Sequence, residues 1–133
     1  MAKLTKDFFN DGEILFVGYS SRNNAFSKTV YQAFLKRGIK VYPVNTRANA
    51  QYDVQVYKSL DELPSVPQAA YILLKTENAK AAVPQLAAKG VKKMLFQGSK
   101  VASPEILAMC KDLGVEAVTG CPMMVVGSGI HKI

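Results

Sequence analysis

The residues of this 133-residue chain best suited to chemistry lie just past its apolar runs. "LFVGYSSRNNAF" (15–26) leaves one such run at Gly18 and enters a polar loop holding Ser20, Ser21 and Arg22. Apolar residues then return at helical spacing. Hydroxyls and a planar guanidinium are anion ligands, and a helix starting at Asn24 points its unpaired N–H groups at the same place. The chemistry this suits is the holding of a phosphate. The simpler account is that Asn23 or Asn24 caps the helix while the serines turn the chain. For the loop alone both accounts stand, because the glycines of a dinucleotide fingerprint are missing.

After the next apolar run a nicotinamide dinucleotide site places an acidic residue for the ribose hydroxyls. This chain has Asn45, Thr46 and Arg47 there. Arg47 suits an adenosine ribose bearing an extra phosphate, which NADP and coenzyme A both carry. It equally fits a solvated loop charge, the commoner fate of a single arginine. Lys75 and Thr76 follow the third run, and Gln97, Gly98, Ser99 and Lys100 follow the fourth. These reach the rim of the same crevice, although rim lysines are most often only solvated.

"TGCPMM" closes the fifth run. A reactive Cys121 needs a cation or a helix N-terminus to lower its pKa, and a structural turn of Gly120, Cys121 and Pro122 is the commoner account. Cys110, spaced with Ile106, Leu107 and Leu113, reads as a small core residue. Two cysteines make neither a disulfide framework nor a zinc site. The one histidine, His131, sits near the end of the chain, so no catalytic triad or Cys/His pair can be built around it. No catalytic residue and no metal site is expected.

These loops require elements behind them. "EILFVG" (13–18), "KVYPVN" (40–45), "AAYILL" (69–74), "KKMLFQ" (92–97) and "VEAVTG" (115–120) read as five strands. Pro43 marks the second as ending early or lying near an edge. A helix is expected over 24–37, with Phe26, Val30, Ala33 and Phe34 on one face and Gly38 as its stop. "VYKSLDELP" (56–64) reads as a turn and a short helix started by Ser59, with Glu62 completing a capping box. The helix over 76–89 contains Pro84, expected to begin a second segment or bend it. Ser103 caps a further helix that opens on Pro104 and Glu105 and ends at Gly114.

Strands that are apolar throughout and alternate with helices make a parallel sheet covered on both faces. The expected architecture is α/β, a doubly wound five-stranded parallel sheet in the order 3-2-1-4-5, counted from the strand at 13–18. Ligands of such sheets bind at the carboxyl ends of the strands. No repeat or linker interrupts the chain, so residues 1–133 are expected to form one domain, with 1–12 an N-terminal segment and 124–133 a tail. The net charge of +7 comes from 17 Lys+Arg against 10 Asp+Glu. The basic residues are scattered and lack the aromatic interleaving of single-strand binders, so the expected partner is a small phosphorylated ligand, not nucleic acid. No apolar stretch is long enough to span a bilayer, and "MAKLTKDFFNDGE" has no signal core, which points to the cytoplasm. A homo-oligomer is compatible with this reading.

Together, "VGYSSRNNAFSKTVYQAFLKRGIKVYPVN" and "VYKSLDELP" resemble the small stand-alone CoA-binding proteins, which are Rossmann-like and related to the CoA-binding domain of the succinyl-CoA synthetase alpha subunit. Gly18 and Ser20 match that family's Gly-x-Ser, Arg22 and Ser27 its following arginine and serine, and Val44–Asn45 the end of its second strand. Tyr57, Ser59–Leu60, Leu63–Pro64 and the closing Cys121–Pro122 match in turn, so the resemblance covers about residues 12–123. Thr46 and Lys75 stand where the family commonly has proline and arginine. The resemblance implies a Rossmann-like fold and a loop at 18–24 around the CoA pyrophosphate, with the loop after Asn45 around the adenosine. It implies CoA or acyl-CoA binding without catalysis, since the multidomain relatives use further domains that this chain is too short to hold. An NADP-binding oxidoreductase-type domain and a regulatory domain that has lost its ligand are the competing readings.

Overall fold

The computed structural model describes residues 2–3, 6–9, 12–18, 24–45, 56–97, 102–120 and 122. The chain begins with a two-residue strand β1 (Ala2–Lys3) and a 3-10 turn at Lys6–Phe9. It continues through β2 (Glu13–Val17), α1 (Asn24–Lys36), β3 (Lys40–Val44), β4 (Ala69–Ile72), α2 (Thr76–Ala88), β5 (Lys93–Gln97), α3 (Pro104–Asp112) and β6 (Glu116–Gly120). All strand pairs are parallel, and the sheet order is β1-β6-β5-β4-β2-β3.

The Rossmann-like α/β class is as expected, but the order is not. Counted from the strand at 13–17, the five apolar strands run 2-1-3-4-5 and not 3-2-1-4-5. The expected order gives "KVYPV" two neighbours, whereas Pro43 has no N–H to donate to a second one. Among the described strands β3 lies at the edge and pairs with β2, where Pro43 lies opposite Phe16. The other flank of β2 goes to β4, all four of whose residues are buried. Tyr57 covers the tip of β3 through an isolated parallel bridge, its N–H donating to the Pro43 carbonyl at 2.9 Å and its carbonyl accepting from Asn45 N at 2.9 Å. β1 is too short for any periodicity to announce it, yet it extends the opposite edge by pairing Ala2 with Val118.

Strand alternation divides the core between two faces. Ile14, Phe16, Tyr71, Leu95 and Val118 pack under Val30, Ala33 and Phe34 of α1. Leu15, Val17, Ile72, Met94 and Phe96 pack under Ala79, Val83 and Leu86 of α2 and Ile106 and Cys110 of α3. Helices therefore lie on both faces. Phe16 meets Tyr71 edge-on at 4.9 Å between ring centroids, and Phe34 meets Tyr71 at 6.0 Å. Such pairs are worth about 0.5–1.5 kcal/mol beyond area burial, which fixes α1 over the centre of the sheet.

Two local expectations change. α2 runs through Pro84 as one helix, with Pro84 exposed and off the buried line of Ala79, Val83 and Leu86. Ser59 makes no side-chain cap; Glu62 Oε1 instead accepts from Lys58 N at 2.9 Å, and the helix there is one 3-10 turn, Leu60–Glu62. No residue of that turn is fully buried and Glu62 is exposed, so no burial enforces the box. Ser103 does cap α3, its Oγ accepting from Ile106 N at 3.3 Å.

Candidate functional site

Parallel pairing brings every strand's carboxyl end to one edge. Val17 stands beside both Val44 and Ile72, Ile72 beside Phe96, and Gln97 beside Gly120. The segments after β2, β3, β4, β5 and β6 therefore leave the sheet side by side. In the order 2-1-3-4-5 successive connections diverge to opposite sides between β2 and β4, and the crevice of a doubly wound sheet opens at that point.

Gly18 lies at this point. It has φ +98°, and its N–H donates to the Val44 carbonyl at 2.8 Å. A Cβ built on Gly18 would stand 2.2 Å from the Leu73 carbonyl oxygen and 2.8 Å from Leu74 Cδ2. On the other side of the same junction Leu73 N donates to the Val17 carbonyl at 2.9 Å. The backbones of β2 and β4 thus stay close where the chain turns away. Only glycine satisfies both the dihedral and the approach.

Of the other site residues expected from sequence, Ser27 is fully buried in the first turns of α1. Asn45 is half-buried, one residue past β3. Lys75 is exposed in extended conformation immediately before α2, its carbonyl accepting from Ala79 N at 2.9 Å. Gln97 ends β5, half-buried, and Pro122 is buried two residues past β6. Gly18, Asn45, Lys75 and Gln97 share the carboxyl edge. Ser20, Ser21, Arg22, Arg47, Gly98 and Cys121 lie outside the described residues.

One residue at this edge was not singled out by its sequence context. Tyr71 lies within the apolar run "AAYILL", is fully buried, and donates from its hydroxyl to Gln97 Oε1 at 2.6 Å. A tyrosine placed two residues before the exit of an otherwise apolar strand was the available signal. The Cys110 thiol is buried beneath α3, and desolvation pushes its pKa above the ordinary thiol value. That suits a packing residue, not a nucleophile. Among the described residues no group of three or more His, Cys, Asp or Glu could hold a metal ion, and no helix is long and apolar enough to cross a membrane.

A parallel sheet with a glycine-lined junction at its carboxyl edge defines a doubly wound α/β protein of the kind that receives nucleotide-like ligands there. Residues 12–127 match the family model for the CoA binding domain, and the chain belongs to that family. Over 86 residues, 64% of this chain, it is 33% identical to the acetate–CoA ligase (ADP-forming) II subunit alpha of Pyrococcus furiosus. It spans only 19% of that protein's length. Among solved structures, a conserved hypothetical protein from Pyrococcus furiosus superposes with TM-score 0.73 at 26% identity, over 84% of this chain and 97% of that one. A hypothetical protein from Pyrococcus horikoshii OT3 has the same fold, with TM-score 0.77 at 22% identity, over 96% and 93% of the two chains.

Proposed function

We propose that this chain binds coenzyme A or an acyl-CoA at the carboxyl edge of its sheet and performs no catalysis on it. The observation that carries the reading is the family match over residues 12–127, a span that includes every strand from β2 to β6. In this reading the loop after Gly18 receives the pyrophosphate, with Ser20, Ser21 and Arg22 as its polar ligands and Ser27 supporting the start of α1. Asn45 and Arg47 face the adenosine, with Arg47 on the ribose phosphate. Lys75, Gln97, Gly98, Cys121 and Pro122 border the rest of the ligand.

The similarity to a ligase subunit favours one other reading, in which the chain presents CoA to chemistry carried out by further domains or chains. Incubating it alone with acetyl-CoA, ADP and phosphate tests what both readings share, the absence of chemistry in this chain itself. Turnover by the chain itself contradicts the non-catalytic reading.

Calorimetric titration tests the binding reading. Hydrogen bonds to charged groups are worth about 1.5–3 kcal/mol, and exposure at a crevice mouth moves this toward the lower end. Arg22→Ala should then weaken CoA and dephospho-CoA alike, by roughly tenfold or more. Arg47→Ala should weaken CoA and leave dephospho-CoA nearly unchanged. Equal losses for both ligands in Arg47→Ala remove Arg47 from the ribose phosphate. A wild-type chain that prefers NADP, or binds none of the three, overturns the reading.

A further inference from the structure

Tyr71 is surplus to packing. Its ring is held edge-on against Phe16 and Phe34 with no exposure, and phenylalanine would fill that volume. What the tyrosine adds is an O–H, and a buried O–H must find a partner. Here the partner is Oε1 of Gln97, the last residue of β5. The amide oxygen is the atom turned to the phenol, and the separation of 2.6 Å lies in the O–H···O range. With its oxygen engaged by the phenol, the planar amide keeps Nε2 as its remaining hydrogen-bonding group, a donor. Among the described residues Nε2 has no hydrogen-bond partner.

We propose that Tyr71 is a positioning residue: it fixes the Gln97 amide so that Nε2 is presented at the carboxyl edge as a donor to an acceptor oxygen of the bound ligand. This rests on the CoA-binding reading. An amide that is free to rotate offers oxygen and nitrogen equally to the crevice, and an oxygen there repels phosphate and carbonyl oxygens alike. The tyrosine removes that state before the ligand arrives, the way preorganisation raises affinity without adding a contact. Both classes of oxygen occur in an acyl-CoA, on its phosphates and on its carbonyls.

The test is calorimetric titration of the full chain with CoA and with 3′,5′-ADP, which lacks the phosphopantetheine arm, including the second phosphate of the pyrophosphate. A hydrogen bond is worth about 0.5–1.5 kcal/mol to a carbonyl and about 1.5–3 kcal/mol to a charged phosphate, so Gln97→Ala should weaken CoA by about twofold or more. Tyr71→Phe should weaken it by a similar or smaller factor, and the double variant should lose no more than Gln97→Ala alone. Losses on both ligands place the acceptor on a phosphate they share, and losses on CoA alone place it on the second phosphate of the pyrophosphate or on the pantetheine arm; either supports the proposal. Gln97→Glu leaves Tyr71 intact, keeps an acceptor for the phenol and replaces the donor by an anion, so it should weaken CoA more than Gln97→Ala does.

A purely structural hydroxyl would change the urea midpoint of Tyr71→Phe without changing its CoA affinity. The side-chain amide proton signals of Gln97 add a second readout. They should shift in Tyr71→Phe without ligand, and on CoA addition in the wild type. Wild-type CoA affinity in Tyr71→Phe beside a loss in Gln97→Ala overturns the positioning role alone. Unchanged affinity in Gln97→Ala overturns the donor. A wild-type chain that does not bind CoA overturns the function and this inference together.

Discussion

The two edges of the sheet are built on different principles. At the amino edge the chain closes on itself: Lys40 N donates to the Gly12 carbonyl, Lys92 N and Lys93 N to Gln68, and Glu116 N to Lys92, all within 2.8–3.0 Å. Lys93 adds a side-chain bond from Nζ to the Phe8 carbonyl at 3.0 Å and lies over the Phe8 ring, while Lys40 lies over Tyr42. The Tyr42 hydroxyl, as hydrogen-bond partner, raises the pKa of Lys40, which is solvent-exposed. The carboxyl edge has backbone bonds too, from Gly18 N to Val44 and from Leu73 N to Val17, but there the backbones crowd at Gly18, and among the described residues the Gln97 amide is engaged through its oxygen alone. Gly38 and Gly18 show the difference at single residues. Both have positive φ, but a Cβ at Gly38 meets nothing within 4 Å, whereas one at Gly18 meets the Leu73 backbone. The first glycine serves a helix end. The second serves a junction.

The contrast can be broken by substitution. Gly18→Ala should be the most damaging change. Left-handed backbone costs a non-glycine residue about 1–3 kcal/mol, and displacement of the Leu73 peptide adds to it, for a loss of about 3 kcal/mol or more in urea unfolding. A loss below about 1 kcal/mol removes the crowding argument. Lys93→Met keeps the aliphatic stem and removes the ammonium from Phe8. Its partly exposed charged bond and ring contact predict a loss of about 1–2 kcal/mol, with CoA affinity unchanged. A fall in CoA affinity there would erase the division between the edges. Gly38→Ala should cost only the dihedral, about 1 kcal/mol, again with no effect on binding. A cost matching that of Gly18→Ala would show that backbone conformation alone decides both.

Most of the sheet was legible because its strands are apolar runs of strand length separated by helical spacing and glycine stops. Ser103 and Pro104 gave the start of α3 by the same logic. Strand order was not legible from periodicity, which specifies faces and not neighbours. The decisive signal was nonetheless present in Pro43, whose missing N–H excludes a second partner, and the order 3-2-1-4-5 ignored it. The strand Ala2–Lys3 is defined only by its pairing with β6. The placement of Gly18, Asn45, Lys75 and Gln97 at the carboxyl edge was legible because each stands at or just past the end of an apolar run. Tyr71 was not, since its ring matches the apolar pattern and its hydroxyl acquires meaning only when β4 and β5 are neighbours. The close approach of Leu73 to Gly18 likewise depends on the order of the strands.

In the proposed function the carboxyl edge, and not the amino edge, receives coenzyme A. The most direct measurement is the change in backbone amide chemical shifts when CoA is added to the labelled full chain. Binding at the carboxyl edge should give the largest shifts at Gly18, Asn45, Leu73, Lys75 and Gln97, with Gly12, Gly38, Gly90 and Gly114 unmoved. An absence of shifts, or shifts concentrated at those four amino-edge glycines, contradicts it.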